Sequence, residues 1–450
     1  MNKAIVSRRQ FLTLSGATGG AVLLAACAPV GAPSAGMDEG AADAGGGAEE
    51  MITISWSWWG SEEQLERQEA KLGAFKEANP NVDVESVFVG WREYPTKILT
   101  MYAGGTAPDA IECDAYWAPD WFSRGMAVHL DPLLDADPDA SRDDYVEHFL
   151  PDMTVDGNLY GLPTDAGPMI WQYNTDVIGE SGMPTPLEYY EQGEWNWDSF
   201  VELGNAVTDK EANIYFHTSF YSWAYWMPMA WTFGGSMFNE DVTQCTVDSE
   251  AFITALQYTL ELKDVHEIMP APGTASDLGL NFRSGNVGMM SAWSRQPLNR
   301  AVSLGGNDKV QPCFVAAGPE GAKCITKSNN EFVSSQSDYT DLAYDLIKMI
   351  TGPEGEWVQH EEYKFIYPAT RKNYDNPEYW AMSAWDQLGI QEVSQVEHGH
   401  LLPITHKIPW TQMSSIWSQY TDQVWLGDLT AAEACAGMAA DINKVIEEAS

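Results

Sequence analysis

Positive charge is scarce in this 450-residue chain: 24 Lys and Arg stand against 65 Asp and Glu, a formal charge of −41 at pH 7. So acidic a surface repels nucleic acid and anionic lipid headgroups alike, which excludes functions that grip a phosphate backbone. A saline habitat and general solubility would each account for the excess. Long apolar runs are lacking too. The stretch from Leu14 to Ala26 is too short and too Gly-rich to remain as a transmembrane helix, and no later segment does better. Cysteine is sparse, with six residues, none in a CxxC or Cys/His zinc spacing. His398, His400 and His406 cluster, but a polar loop is expected there rather than a metal site. No Walker motif occurs, so ATP hydrolysis belongs elsewhere. No cofactor and no metal are expected.

The N-terminus reads as an address. Ser7-Arg8-Arg9-Gln10-Phe11-Leu12 is a twin-arginine signal, and the apolar stretch after it ends in Leu24-Ala25-Ala26-Cys27. That ending resembles a bacterial lipobox, in which the cysteine takes a diacylglyceryl group and becomes residue one. Residues 1–26 are thus expected to be removed and Cys27 to hold the chain on the extracytoplasmic face of the cell membrane. Losing Lys3, Arg8 and Arg9 with no acid would make the protein three charges more negative. Residues 28–50 are Ala, Gly, Pro, Ser and acid, unable to bury enough surface to offset ordering entropy. As a flexible tether they would span ~27 Å root-mean-square.

From Met51 strand and helix patterns alternate. Ile52 to Trp56 has the period of a strand, Ser61-Glu62-Glu63-Gln64 opens a helix with a capping box, and Asn79-Pro80 stops it. Val82–Val89 is a second strand, Tyr94–Tyr102 a second helix, and Ala110–Cys113 a third strand. This βαβαβ run predicts a parallel sheet covered by helices, and some 400 residues suffice for two domains. Near the end, Ala434, Met438, Ile442 and Ile446 recur four apart, giving a helix with one apolar face.

Several phrases carry a family resemblance. They are Ala103-Gly104-Gly105-Thr106-Ala107-Pro108-Asp109, Gly125 to Leu133 (GMAVHLDPL), Gly157 to Asn174 (GNLYGLPTDAGPMIWQYN), Glu194 to Phe200 (EWNWDSF), Phe282 to Met289 (FRSGNVGM) and the helix from Leu342 to Gly355. In this order they resemble the extracellular solute-binding proteins of ABC importers, in the branch typified by maltose-binding proteins. The resemblance implies an α/β, two-lobed periplasmic-binding-protein-like fold, with discontinuous lobes, each a helix-covered sheet, around a ligand cleft. The lobes would comprise 51–164 plus 317–367, and 165–316 plus 368–450. It also implies a small-molecule ligand, chiefly a carbohydrate, a membrane permease as partner, and a monomer without enzymatic activity.

Sugar clefts need aromatic rings for pyranose faces and buried polar groups for hydroxyls. The 19 Trp exceed what a core of this size requires. Candidates are Trp59 and Glu62 after the first strand; Asp114, Tyr116 and Trp117 after the third; and Asp165 with Gly167 where the chain crosses between lobes. Trp223 and Tyr225 come from the YSWAYW segment. Trp293, Trp410 and Trp417 lie at positions resembling family contacts, and Arg371 lies at the return crossing. Cys313 and Cys324 could close a short disulfide loop in an exported protein. The rival readings are a polyamine or other organic solute as cargo, a carbohydrate-active enzyme, and a sensor that binds without transporting.

Overall fold

A computed structural model describes residues 51–448, apart from 219–222, 294–295 and 402–407 and the side chains of Glu63, Trp223 and Tyr225. Cys27, the leader, segment 28–50 and His406 therefore lie outside the described residues.

Alternation builds the first strand. β1 (Ile52–Trp59) puts Ile54, Trp56 and Trp58 wholly in the core. β2 (Val82–Val89) runs parallel beside it, Ile52 opposite Val82, and β3 (Ala110–Asp114) lies parallel on its other side, Trp56 opposite Ala110. Helical turns from Glu62 to Ala78 and the helix Tyr94–Ala103 make the crossovers, so the βαβαβ run is present. Asn79 ends the first crossover by donating its N–H to Phe75 O at 2.9 Å, and Pro80 has no N–H with which to continue.

A small hairpin, β4 (Thr154–Val155) with β5 (Asn158–Leu159), precedes two long-range strands. β6 (Leu162–Pro168) and β7 (Ile170–Asn174) are separated only by Met169. They nevertheless belong to different sheets. β7 is the middle of a three-stranded antiparallel sheet between β8 (Met289–Ala292) and β9 (Val310–Cys313). β6 pairs instead with β10 (Cys324–Val333), the ten-residue strand that runs antiparallel to β3 and carries β11 (Gly399–Leu401) at its start. The larger sheet thus mixes the parallel β1–β3 run with antiparallel strands from far along the chain.

Helix Thr340–Thr351 packs across β10, β6 and β3. The last helix, Ala431–Glu448, docks on helices Glu250–Asp264 and Trp410–Leu426. Ala434, Met438, Ile442 and Ile446 are all buried there, as their spacing requires.

The Cys313–Cys324 bridge is not formed; all five described cysteines are free and buried. Cys313 ends β9 in one sheet and Cys324 begins β10 in the other, so each thiol sits within separate packing. Burial raises Cys313 well above its usual value and Cys324 to about 12, so both thiols are protonated in the folded protein.

The segment from Ala369 to Asn373 is pinned by a buried acid. Glu356 accepts from the Ala369 N–H, from Thr370 Oγ1 at 2.6 Å and from Asn373 Nδ2 at 2.8 Å. Burial still raises its carboxyl to about 7, against those donors. A raised acid stabilises the fold below its unfolded value, and that contribution is lost as pH rises through the folded value. Denaturant unfolding from about pH 4.5 to 7 should therefore show a decline in wild-type stability that Glu356→Gln flattens. Met438→Ala should cost ~2–5 kcal/mol by the same measurement, and Leu426→Ala, on an exposed side chain, within about 0.5 kcal/mol.

Candidate functional site

The register of β10 assembles a polar floor. Asn329 lies opposite Asp114 of β3 on one side and opposite Asp165 of β6 on the other. Residues directly opposite across a ladder point to the same face, and so does Lys327, two residues earlier. The contacts follow. Lys327 Nζ donates to Asp114 Oδ2 and to Asn329 Oδ1, both at 2.8 Å, and Asn329 Nδ2 donates to Asp165 Oδ2 at 3.2 Å. Asp114 Oδ1 also accepts the Tyr116 N–H at 3.1 Å. Beneath this floor, Ser328 donates its N–H and Oγ to Asp152 at 2.8 and 2.9 Å. Burial pushes that carboxyl up to about 7, while the Ser328 donors and the Lys327 charge pull the other way.

Above the floor is a cavity of about 800 Å³. Its walls are aromatic: Trp59 from the end of β1, Trp91 beyond β2, Tyr116 after β3, Tyr363 at the end of helix Pro353–Tyr363, and Trp293 just past β8 of the other sheet. Two sheets therefore contribute to one cleft. Trp59 meets Tyr94 and Trp117 edge-on at 5.5 and 5.6 Å, which fixes its ring. Its backbone N–H donates to the buried Glu112 Oε2 at 3.1 Å, tying the strand end to β3. Gln64 and Ser61 at the first helical turn complete that edge, and the Ser61 N–H donates to Gln64 Oε1 at 3.0 Å.

Six of the expected site residues meet here: Trp59, Asp114, Tyr116, Asp165, Gly167 and Trp293 line the cavity. Others do not. Glu62 is exposed on the turn whose neighbours Ser61 and Gln64 do line it. Trp117 is buried, stacked on Trp121 at 5.5 Å, and supports Trp59 from behind. Trp410 is buried and stacks on Tyr116 at 4.8 Å, backing a cleft ring without reaching the cleft itself. Trp417 is core, packed edge-on against Trp410 and Trp226. Arg371 is exposed at a separate recess with Arg142 and Tyr145, its guanidinium 5.6 Å from the Tyr374 ring centroid. The side chains of Trp223 and Tyr225 lie outside the described residues, though Ala224 between them lines the cavity. Sequence reasoning missed Lys327, Asn329, Gln296 and Asn299, and the rings of Trp91 and Tyr363. The first two carry no clear sequence signal: they form a polar pair at i, i+2 among Thr326, Ser328 and Asn330, and only the structure shows that this strand is buried almost throughout.

Gly167 is required by the packing of the chain as well as lining the cavity. Its φ is +132°, and a Cβ there would lie 2.9 Å from Tyr367 Cβ, where Ala166 bridges to Tyr367. The missing side chain makes room for the returning chain at Tyr367.

An aromatic-walled cleft with a hydrogen-bonding floor, built by two sheets joined through short crossings, defines a protein that encloses a small ligand. The profile of the bacterial extracellular solute-binding protein family matches residues 72–385, and the chain belongs to that family. It is 27% identical over 264 residues to a binding protein of Brucella abortus, covering 56% of this chain and 59% of that one. It is 26% identical over 270 residues to an arabinooligosaccharide-binding protein of Halalkalibacterium halodurans, covering 56% of each. The chain thus spans less than two thirds of the length of these curated relatives. An ABC substrate-binding protein from Listeria monocytogenes, solved with cycloalternan, matches with a TM-score of 0.76 at 20% identity, over 88% of this chain and 100% of that one. The GacH receptor of Streptomyces glaucescens, solved unliganded and with acarbose, matches at 0.75 and 19% identity, over 89% and 100%. The fold is therefore the two-lobed α/β fold of maltose-binding-protein-like proteins. The family is one of binding proteins, which sets aside the enzyme reading. Among the described residues no group of three His, Cys, Asp or Glu could hold a metal ion, and no helix is long and apolar enough to cross a membrane.

Gly167→Ala should lower stability by ~1–3 kcal/mol in chemical denaturation, because its backbone conformation is strained for any side chain. Gly73→Ala, in a helix with open space around it, should leave stability unchanged or slightly raised.

Proposed function

We propose that this protein is the carbohydrate-capturing component of an ABC importer. The observation that carries the reading is the cavity itself: five rings, Trp59, Trp91, Tyr116, Trp293 and Tyr363, around a floor of Asp114, Asp165 and Asn329. Rings cover the C–H faces of pyranoses, and carboxylates accept strongly from hydroxyls. The relatives named for arabinooligosaccharide and the neighbours solved with cycloalternan and acarbose support a sugar or oligosaccharide as the cargo.

Capture works by closure. A ligand touching rings from both sheets binds the closed state better and shifts an open–closed equilibrium toward it. The lobes comprise about 51–164 plus 317–367, and 165–316 plus 368–450; the change of sheet between Pro168 and Ile170 supports a crossing a few residues after the first of these boundaries, and β11 of the second set pairs back into the larger sheet. The loaded form then docks on a membrane permease. The twin-arginine leader and the Leu24-Ala25-Ala26-Cys27 lipobox support export and lipid anchoring at Cys27, with segment 28–50 as tether. Anchoring raises the local concentration of the trap beside its permease.

Thermal-shift screening against mono- and oligosaccharides, polyamines and peptides tests the cargo. A carbohydrate should raise the melting temperature with concentration; a polyamine that does so while no sugar does would end the reading. With the sugar in hand, Trp59→Ala and Trp293→Ala should each weaken binding about ten- to a hundredfold in calorimetry. Arg371→Ala should leave affinity unchanged. Trp417→Ala should cost ~3–5 kcal/mol of stability, because it removes a core ring.

A further inference from the structure

Lys327 occupies an unusual seat. Its ammonium lies 5.0 Å from the Tyr116 ring centroid and 5.1 Å from that of Trp293. It also donates to Asp114 Oδ2 and Asn329 Oδ1 at 2.8 Å each. The Lys327 and Asp114 side chains are only 11% and 3% exposed. Two aromatic rings and a desolvated carboxylate around one ammonium are the parts of a receptor for organic cations. Here the chain supplies the cation itself, on a strand of the larger sheet, with one ring coming from beside the other sheet.

We infer that Lys327 is the specificity-determining residue of the cleft: its tethered ammonium fills the seat an external organic cation would take, so the site rejects amines and admits oxygen-rich, uncharged or carboxylate-bearing ligands. Three consequences of the geometry carry this. The seat is filled, so an amine would have to displace a lysine that cannot leave. The Asp114 charge is already neutralised, so little attraction remains for a second cation. An ammonium has three donors, and two are engaged. Among the described residues the third has no protein acceptor, which leaves it for a ligand oxygen. The inference deepens the proposed function and rests on this cavity being the ligand site.

The test removes the tether and returns its chemistry in solution. Lys327→Ala deletes the part of the side chain that n-propylammonium reproduces. In calorimetry the wild-type protein should show no binding of n-propylammonium or choline. Lys327→Ala should bind at least one of them saturably and should bind the carbohydrate at least tenfold more weakly than wild type. The Lys327→Ala/Asp114→Asn double variant should lose the cation again, because the carboxylate that held it is gone. If Lys327→Ala is too unstable to titrate, n-propylammonium should raise its melting temperature and leave that of wild type unmoved. Failure of Lys327→Ala to take up either cation overturns the inference, as does wild-type protein that binds them equally well. A wild-type protein that binds no carbohydrate would instead defeat the proposed function, while the cation measurements still decide the role of Lys327.

Discussion

Everything at the cleft depends on the register of one strand. β10 pairs with β3 on one edge and β6 on the other, and Asn329 stands opposite an aspartate on both sides. A slip of one residue would turn Lys327 and Asn329 to the other face and leave Asp114 and Asp165 without their partners, because side chains alternate with a period of two. β6 accommodates this pairing with one extra residue between Pro163 and Asp165, where the ladder with β10 shifts. Buried hydrophobic pairs such as Phe332 opposite Ile111 then hold the register from the core end.

That arrangement has an electrostatic cost and a use. Removing Lys327 and the two aspartates from water is unfavourable, and their mutual attraction offsets the penalty only when the geometry is good and the remaining donors and acceptors are met. Here the carboxylates receive an ammonium, an amide and a backbone N–H at hydrogen-bond distances. Such a network holds its groups in place before a ligand arrives, so little ordering is left to be done on binding. The rings around it are held in the same manner. Trp59 is braced by Tyr94 and Trp117, and Tyr116 by Trp410, so the aromatics that stay out of the cleft orient those that enter it.

Local pattern made part of this legible. Alternation along β1 separates Trp58, stacked on Phe88 in the core, from Trp59 at the cleft. The βαβαβ run brings the ends of β1 and β3 to one edge, so residues just past those ends were the natural candidates. Two candidates taken from the family resemblance fared differently. Trp410 and Trp417 are seven apart on one helix, hence on one face, and that face is buried. Lys327 could not be found in this way, because a lysine between polar neighbours reads as a solvated surface until the strands that flank it are known. The bridge between Cys313 and Cys324 failed for a related reason: eleven residues of separation say nothing about which sheet each thiol enters.

By itself the amino-acid sequence determined the parallel α/β core, the helix stops, the apolar face of the last helix and the family, because these depend on local periodicity and on phrases read in order. Only the tertiary structure decided which rings face a ligand, that Gly167 yields space to Tyr367, and that a lysine from β10 sits between Asp114 of β3 and Trp293 beyond β8. Those relations join segments between 34 and more than 200 residues apart. Hydrogen-bond ladders and core packing set them, and no window along the chain contains both partners.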